Sequence, residues 1–319
     1  MEAANHIESY VSPFNNEEYK LYHCSNCDLQ WWEPLRSVSP EFYEQELEVK
    51  EGYILLHEGI DRKIGKNHEV FFKYIPLKTG RLLDIGCGDG LFLEEAKRRG
   101  YEVWGIDIDR NSIRVCQEKR GLRNTFVMAP QDFAEFCQKE GLKFDIITFF
   151  EVLEHQDKII EFMEAAKSIL KLGGWIAGSV PNRNGRQVKI VGKYTIIDFP
   201  PEHPLRFSSV ALSNLLYKVG FHNHHIIPLY LSIYEDAYYL TLRLLRLFGD
   251  NIKNTRKICY RLFGSESLRD ILKAPAKARI YNTIKYVKNS LLMPIVLVFR
   301  VIYRESHVLY FQGELLQKN

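Results

Sequence analysis

Arg81-Leu-Leu-Asp-Ile-Gly-Cys-Gly-Asp-Gly90 decides the fold, because this stretch runs from an apolar strand through three glycines into a helix. Glycines let the backbone approach a ligand closely, and the N–H groups of a helix start can bind polar atoms. The spacing is G-x-G-x-G, whereas the dinucleotide fingerprint is G-x-G-x-x-G. Asp84 precedes the first glycine by two positions, where it can meet an ammonium group or an ordered water but would repel a pyrophosphate. The stretch therefore indicates a nucleoside-containing cofactor.

A second carboxylate follows the next strand. After a helix near 91–99, the strand Tyr101-Glu-Val-Trp-Gly-Ile-Asp107 ends about twenty residues past the first glycine, which is the position that accepts ribose hydroxyls in a βαβ unit. The sequence continues with Phe144-Asp-Ile-Ile-Thr-Phe-Phe-Glu-Val-Leu-Glu-His155, a buried strand that opens into a polar loop. Strand and helix thus alternate, and each of these strands ends near an acidic residue.

Five motifs in this order resemble the class I S-adenosylmethionine-dependent methyltransferases. The resemblance covers roughly residues 80–225 and implies an α/β, Rossmann-like fold: a seven-stranded, mostly parallel sheet with helices on both faces and the last two strands in a hairpin. It also implies S-adenosylmethionine as the cofactor. The motifs are D-I-G-C-G-D-G (84–90), G-I-D (105–107), F-D-I-I-T (144–148), E-V-L-E-H (151–155) and L-x-x-G-G (170–174).

The apolar pattern predicts elements that fit this fold, because strands that alternate with helices form a parallel sheet covered on both faces. A helix over 52–75, which covers the cofactor in the family, precedes them. Strands are predicted near 81–86, 102–107, 124–128, 144–149, 174–180, 221–228 and 307–317, with helices near 91–99, 110–119, 131–138, 157–170 and 208–219.

Four segments follow from this pattern. Residues 1–50 are predicted to be an irregular N-terminal segment that resembles a remnant of a zinc ribbon. Residues 51–229 form the methyltransferase core, 230–304 a helical insertion before the last strand, and 305–319 that last strand. The N-terminal segment holds one C-x-x-C pair, Cys24 and Cys27, whereas a structural zinc needs four ligands. His6 or His23 could complete such a site, but we expect a metal-free half-site and no zinc.

The insertion concentrates the positive charge of the chain. Residues 241–304 hold fourteen Lys/Arg against three acidic residues, although the whole chain has a net charge of only +3. The apolar run 291–299 is broken by Pro294 and is too short to span a bilayer. Two interpretations stand: helices over 240–304 make peripheral contact with an anionic membrane or shape an entrance for a lipid-like substrate, or they form a cap with a solvated basic face.

The resemblance assigns cofactor contacts to particular residues. Asp84 and the loop of Gly86, Cys87, Gly88 and Gly90 would hold the methionine end, with Cys87 as a small packing residue. Asp107 would take the ribose hydroxyls and Ile108 would lie against adenine. Asp132 and Phe133 would meet the adenine edge and face, although Asp132 could instead be a helix N-cap.

Methyl transfer needs aligned reactants and, for a hydroxyl or a carbon acid, removal of a proton. Glu151 follows the fourth strand at the edge where ligands bind in open α/β sheets, and some of its family counterparts approach the methionine moiety. His155 is the predicted base because its ordinary pKa lies near neutrality. His203 is the rival, since Pro200-Pro-Glu-His-Pro-Leu-Arg-Phe-Ser208 resembles a stretch beside the acceptor pocket of related enzymes. No His/Asp/Glu cluster in the sequence demands a catalytic metal.

We therefore predict an enzyme that methylates a small-molecule or lipid-like acceptor: a quinone precursor, a lipid-linked intermediate or a sugar. The alternatives are an RNA or protein methyltransferase that uses the basic insertion, and a non-catalytic cofactor- or lipid-binding scaffold. We expect no nucleic-acid partner, because the basic segment is interleaved with aliphatic residues more than with aromatic ones. The sequence carries no signal for the oligomeric state.

Composition agrees with this prediction. The 319 residues are 46% hydrophobic, which suffices for a full core. The first residues lack the basic and apolar regions of a secretory signal, and the six cysteines are too scattered for a disulfide framework. We therefore expect a cytoplasmic location, with peripheral association at the inner face of the membrane as the alternative.

Overall fold

The central feature of the computed structural model is a seven-stranded sheet, as predicted. The structure describes residues 4–12, 15–45, 56–59, 61–191, 199–230, 236, 293–302, 304 and 306–316. The strands of this sheet are β4 (Gly80–Ile85), β5 (Tyr101–Asp107), β6 (Thr125–Val127), β7 (Phe144–Phe150), β8 (Leu170–Pro181), β10 (Phe221–Leu229) and β11 (Val308–Leu315). Their order is β10-β11-β8-β7-β4-β5-β6; β11 pairs antiparallel with β10 and with β8, and the other neighbouring strands are parallel.

Helices follow the strands in the predicted alternation. A short 3₁₀ turn, Leu153–His155, follows β7. The helices are α1 (Pro40–Gln45), α2 (Lys66–Tyr74), α3 (Leu91–Arg98), α4 (Arg110–Glu118), α5 (Pro130–Lys139), α6 (Ile159–Ile169), α7 (Arg186–Val191), α8 (Ser209–Lys218) and α9 (Met293–Ile302).

The core lies on both faces of the sheet because successive strand residues point in opposite directions. In β4, Leu83 packs in one buried cluster with the apolar residues of α5, α6 and α8, whereas the preceding Leu82 packs in a second cluster with those of α2, α3 and α4. The strand β7 divides in the same way, with Ile147 in the first cluster and Ile146 in the second. Parallel strands buried on both faces explain the near-continuous apolar runs in the sequence.

The N-terminal segment, expected to be irregular, instead forms antiparallel strands. These are β1 (Ala4–Val11), β2 (Glu18–Cys24) and β3 (Gln30–Glu33), and β9 (Leu205–Arg206) completes a four-stranded sheet by pairing with β3. Asp28, at the tip of the β2–β3 hairpin, ties this sheet to the core. Its carboxylate accepts from Arg183 at 2.5 Å and from Ser208.

The covering helix predicted over 52–75 is shorter in the structure. Residues 51–55 and 60 lie outside the described residues, and α2 begins only at Lys66. Gly59 has φ +55°, a left-handed conformation that interrupts a helix, and Gly65 is the extended N-cap of α2. Residues 56–59 and 61–65, which we call the strap, therefore run mostly outside regular structure.

The chain divides into two compact units. Residues 1–183, 200–229 and 308–319 form the first unit, and residues 184–199 and 230–307 form the second. The first includes the N-terminal residues that the sequence sets apart, and the second adds 184–199 to the predicted insertion. Most of that insertion, with Cys259, lies outside the described residues. No helix among the described residues has the length and apolarity that a bilayer crossing requires.

One carboxylate organises the described part of the second unit. Asp236, 1% exposed, lies 2.8 Å from Arg186, 2.5 Å from Arg300 and 2.9 Å from His307. Burial would raise the pKa of Asp236, but these partners hold it below its ordinary value. This ion cluster joins α7, α9 and the residue before β11.

Candidate active site

The glycine loop between β4 and α3 has a backbone conformation that favours glycine. Gly86, Gly88 and Gly90 all have positive φ, between +52° and +75°. A Cβ at Gly90 would stand 2.6 Å from the Leu122 side chain, and one at Gly86 would stand 2.6 Å from Val152. The loop is therefore shaped both by its conformation and by close neighbours. Cys87 is 7% exposed, which agrees with a packing role.

Asp84 lies at the carboxyl end of β4 and is 3% exposed. The Thr148 hydroxyl donates to its Oδ1 at 2.7 Å. Burial, together with the smaller effect of the Asp107 charge, raises the pKa of Asp84 to about 8 in spite of this hydrogen bond. A cation placed beside Asp84 would reverse that shift, since an opposite charge favours the ionised form. The residue is thus suited to an ammonium group.

Asp107 ends β5 with both carboxylate oxygens directed at backbone donors. Its Oδ2 accepts from the Gly88 N–H at 2.8 Å and its Oδ1 from the Asp109 N–H at 2.9 Å. Burial raises the pKa of Asp107 to about 6, although these N–H groups oppose the shift. Each oxygen can accept a second hydrogen bond, so the carboxylate fits vicinal hydroxyls. Ile108 follows, half-buried.

The two residues predicted to meet adenine after β6 differ in exposure. Asp132 is exposed in the first turn of α5, whose N-cap is Ala129, so Asp132 is not the N-cap. Phe133 is 0% exposed and packs in the core against Phe126 and Phe144, with ring centroids 6.0 and 6.2 Å away. Full burial leaves Phe133 no surface for an adenine ring. The spacing of apolar residues in α5 does not show whether an apolar residue in its first turn points toward the ligand or into the core.

The loop after β7 brings the second half of the site against the glycine loop. Val152 is the close neighbour of Gly86, and Glu151 stands directly before it. Glu151 has φ +55°, which is uncommon for a residue with a side chain, and such strained residues cluster at functional sites. Its N–H donates to the Ser179 carbonyl at 2.9 Å. Glu151 is therefore held at the carboxyl edge of the sheet, as predicted from its position.

His155, His203 and Glu154 form one cluster. The rings of His155 and His203 are 4.5 Å apart and nearly perpendicular. Glu154 and His203 are buried at 1% and 5% exposure. His155 Nδ1 lies 2.8 Å from the Glu202 carbonyl. Because a carbonyl can only accept, Nδ1 carries the proton and Nε2 carries the lone pair of the neutral ring. The two predicted bases thus lie side by side, and His155 has the tautomer that a base needs.

The same cluster could also hold a cation. One ligand atom each from Glu154, His155 and His203 lie within 4.8 Å of one another, and they are the one group of three such ligands in the described ranges. Two imidazoles and a carboxylate are a donor set that zinc and related divalent ions accept. Glu154 was not singled out from the sequence, although it stands inside the E-V-L-E-H motif.

The strap supplies contacts that the sequence did not predict. The Arg62 guanidinium makes two hydrogen bonds to the Asp89 carboxylate, at 2.8 and 2.9 Å, and Arg120 makes a third at 2.7 Å. Burial would raise the pKa of Asp89, but these arginines hold it below its ordinary value. His57 pairs with Asp109 two residues beyond Asp107. The strap is thus fastened beside both the glycine loop and the end of β5.

The cysteine pair belongs to no group of three or more metal ligands in the part of the chain that the structure describes. Cys24 and Cys27 are free thiols at the tip of the β2–β3 hairpin. Hydrogen bonds from the Cys27 N–H and thiol lower the pKa of Cys24. The resemblance of this segment to a zinc ribbon is not confirmed.

Comparison with known proteins identifies the family. A family model described as a methyltransferase domain matches residues 56–226, which are more than half of the chain. The chain therefore belongs to the methyltransferase domain family. This membership confirms the predicted class, an S-adenosylmethionine-dependent methyltransferase, and agrees with the predicted Rossmann-like sheet.

Curated relatives share part of the chain. The ubiquinone biosynthesis O-methyltransferase of Roseobacter denitrificans is 33% identical over 147 residues, which are 44% of this chain and 58% of the relative. The protein of that name from Cereibacter sphaeroides is 34% identical over 152 residues, or 45% of this chain and 59% of the relative. The chain thus spans less than two thirds of the length of these relatives.

Solved structures agree on the fold. Phosphoethanolamine N-methyltransferase 2 of Haemonchus contortus, in complex with phosphomonomethylethanolamine and S-adenosylhomocysteine, aligns with a TM-score of 0.53 at 16% identity, covering 88% of this chain and 61% of that one. A second structure of that enzyme, in complex with S-adenosyl-L-methionine, has a TM-score of 0.50 at 15% identity and covers 88% and 60%. At such identities the likeness concerns the fold alone.

Proposed function

We propose that the chain transfers a methyl group from S-adenosylmethionine to a small-molecule or lipid-like acceptor, with His155 as the base. The observation that supports this proposal is the contact between Val152 and the glycine loop, because the loop that carries His155 thereby lies against the predicted cofactor residues. The names of the relatives, ubiquinone biosynthesis O-methyltransferases, favour a phenolic hydroxyl of a quinone precursor as the acceptor.

The residues present fit the cofactor. Asp84 suits its ammonium group, Asp107 its ribose hydroxyls, and the positive-φ loop allows close approach of the backbone. Bound S-adenosylmethionine supplies a methyl group on a sulfonium, so the chain need only align the acceptor and accept its proton. In this proposal His155 Nε2 accepts that proton, while the Glu202 carbonyl holds Nδ1–H and keeps the ring oriented.

The decisive variant is His155→Ala. Loss of a general base typically lowers a rate by about 10²- to 10⁴-fold, and we expect a loss in this range with little change in affinity for S-adenosylhomocysteine. The assay follows radiolabelled methyl from S-adenosylmethionine into a prenylated catechol, a lipid-linked sugar and a nucleotide sugar. His222→Ala serves as the control, since His222 lies on the far edge strand β10 and its ring contacts Tyr217 of α8. An active His155→Ala enzyme transfers the role to His203 or to neither.

Two further results would change the proposal. Transfer that is lost in a chelator and restored by a divalent ion would assign Glu154, His155 and His203 as ligands rather than His155 as a base. Normal cofactor binding without transfer to any acceptor would favour the non-catalytic scaffold. Methylation of RNA or protein in the same assay would favour the macromolecular alternative.

A further inference from the structure

Glu151 has a backbone conformation that is unfavourable for a residue with a Cβ, because its φ is left-handed. Such a conformation persists only where its surroundings over-determine it. Glu151 has φ +55° directly after β7, at the carboxyl edge of the sheet. Its neighbours should therefore hold it firmly.

Ser179 in β8 holds Glu151 at two points. The Ser179 carbonyl accepts from the Glu151 N–H at 2.9 Å, and the Ser179 hydroxyl donates to Glu151 Oε1 at 2.6 Å. Ser179 is 0% exposed, so water does not compete for its hydroxyl. It is a polar side chain in the otherwise apolar run Trp175-Ile-Ala-Gly-Ser-Val180. A single buried residue thus fixes both the main chain and the carboxylate of Glu151.

Asn67 in α2 fixes the direction of these hydrogen bonds. Its Nδ2 donates to Ser179 Oγ at 3.0 Å, while its Oδ1 accepts from the His68 N–H at 3.0 Å, which sets the amide orientation. An amide NH₂ only donates, so the hydroxyl accepts from Asn67 and its one hydrogen goes to Glu151. Donation to Oε1 favours the ionised carboxylate. The relay therefore runs from Asn67 through Ser179 to Glu151.

We propose that Asn67 and Ser179 are positioning residues that hold Glu151 as an ionised carboxylate for the cationic end of the cofactor. This inference rests on the proposed function, in that it takes S-adenosylmethionine as the ligand. It extends that function to two residues on separate elements, and it makes the helix α2 a part of the cofactor site through a hydrogen-bonded chain.

Calorimetric affinities for S-adenosylmethionine and S-adenosylhomocysteine test the relay without any acceptor. Ser179→Ala, Glu151→Gln and the double variant form a double-mutant cycle. Each single variant should bind S-adenosylmethionine about tenfold more weakly, which is about 1.4 kcal/mol. Because Ser179 acts through Glu151, the double variant should be no weaker than Glu151→Gln. A loss confined to S-adenosylmethionine assigns the carboxylate to the sulfonium, and an equal loss for both compounds assigns it to the ammonium.

Asn67→Asp is the second variant, because it keeps the shape of the side chain but cannot donate when ionised. It should weaken binding in the native background and not in the Glu151→Gln background. Thr125→Val is the matched control: it removes a buried hydroxyl, bonded to the Leu122 carbonyl, from the opposite edge strand β6 and should leave affinity unchanged. If the affinity losses of the single variants add in the double variants, the relay from Asn67 through Ser179 to Glu151 is overturned, while the proposed function is not. An unmodified chain that binds neither compound overturns the proposed function itself.

Discussion

Two carboxylates, the buried Asp84 and the half-buried Asp107, set the charge of the predicted cofactor site at the scale of single residues. Asp84 has a pKa of about 8, chiefly because it is buried, and Asp107 has one of about 6 for the same reason. Between the ordinary value of 3.8 and about 8, the unfolded chain has lost the Asp84 proton while the folded chain keeps it. Stability therefore falls as the pH rises through that window. The buried acid therefore lowers the free energy of unfolding at neutral pH, but it places a carboxylate where a cation would bind.

Cofactor binding should expel the Asp84 proton. Near pH 7.5 the free protein holds Asp84 mostly neutral, and the ammonium of S-adenosylhomocysteine favours the ionised form, so we expect release of a fraction of one proton per site. Calorimetry in two buffers of different ionisation enthalpy measures this number. Asp84→Asn should abolish the release, and it should fade above pH 9 in the unmodified chain. Equal release by both proteins would contradict the assignment.

The sequence indicated the candidate residues that end strands, because the carboxyl ends of parallel strands must meet at one edge. Asp84, Asp107 and Glu151 were singled out in this way. Asn67 was not, since its partner Ser179 lies 112 positions further along the chain and only the folded sheet brings the two together. Phe133 shows the converse failure, because an apolar residue in the first turn of a helix can face the ligand or the core.

At the scale of elements, the strap contacts the glycine loop through its side chains. Arg62 reaches Asp89 in that loop, and a Cβ at Gly88 would stand 3.4 Å from Leu56. A segment with few regular hydrogen bonds depends on such side-chain attachments for its order. Arg120, which also pairs with Asp89, keeps the carboxylate neutralised if Arg62 is removed.

Arg62→Met should loosen the strap while leaving the core folded. We expect faster amide hydrogen exchange in peptides covering residues 56–65 and severalfold weaker binding of S-adenosylhomocysteine, because one attachment to the glycine loop is lost. Arg114→Met is the control, since Arg114 pairs with Glu118 on the exposed face of α4 at 3.5 Å. Unchanged exchange in the strap would show that Arg62 does not hold it.

Elements of the central sheet were predictable because each is a buried run flanked by glycine or polar turns. The predicted helix over 52–75 was too long, since apolar spacing alone does not register the left-handed Gly59 and the extended Gly65. The strands β1 to β3 were missed for a different reason. Their alternation is short, and the strand that completes their sheet, β9, comes from a distant part of the chain.

Membrane contact of the whole molecule stays a prediction, and α9 offers a way to test it. Four apolar residues of α9 are more than half exposed, with Arg300 and Arg304 beside them: Leu297, Val298, Val301 and Ile302. We expect the full chain to sediment with vesicles rich in phosphatidylglycerol and less so at high salt. Leu297→Glu with Val301→Glu should abolish this, whereas Leu172→Glu, at an equally exposed position in the core unit, should not. Binding that persists in the double variant would exclude α9 as the contact.

The pairing of β3 with β9 determines the order in which parts of the chain can finish folding during synthesis. Trp31 and Leu205 are register partners separated by 174 positions, so the N-terminal sheet lacks its last strand until the core has been synthesised. At roughly 5–20 residues per second, a ribosome needs about 10–35 s to reach that point. During this interval β3 has an unpaired edge. Trp32, which is 0% exposed in the folded chain, still lacks the Pro204 carbonyl that accepts its backbone N–H. Folding of the first residues of the chain is therefore completed only after the loop that carries His155 has emerged.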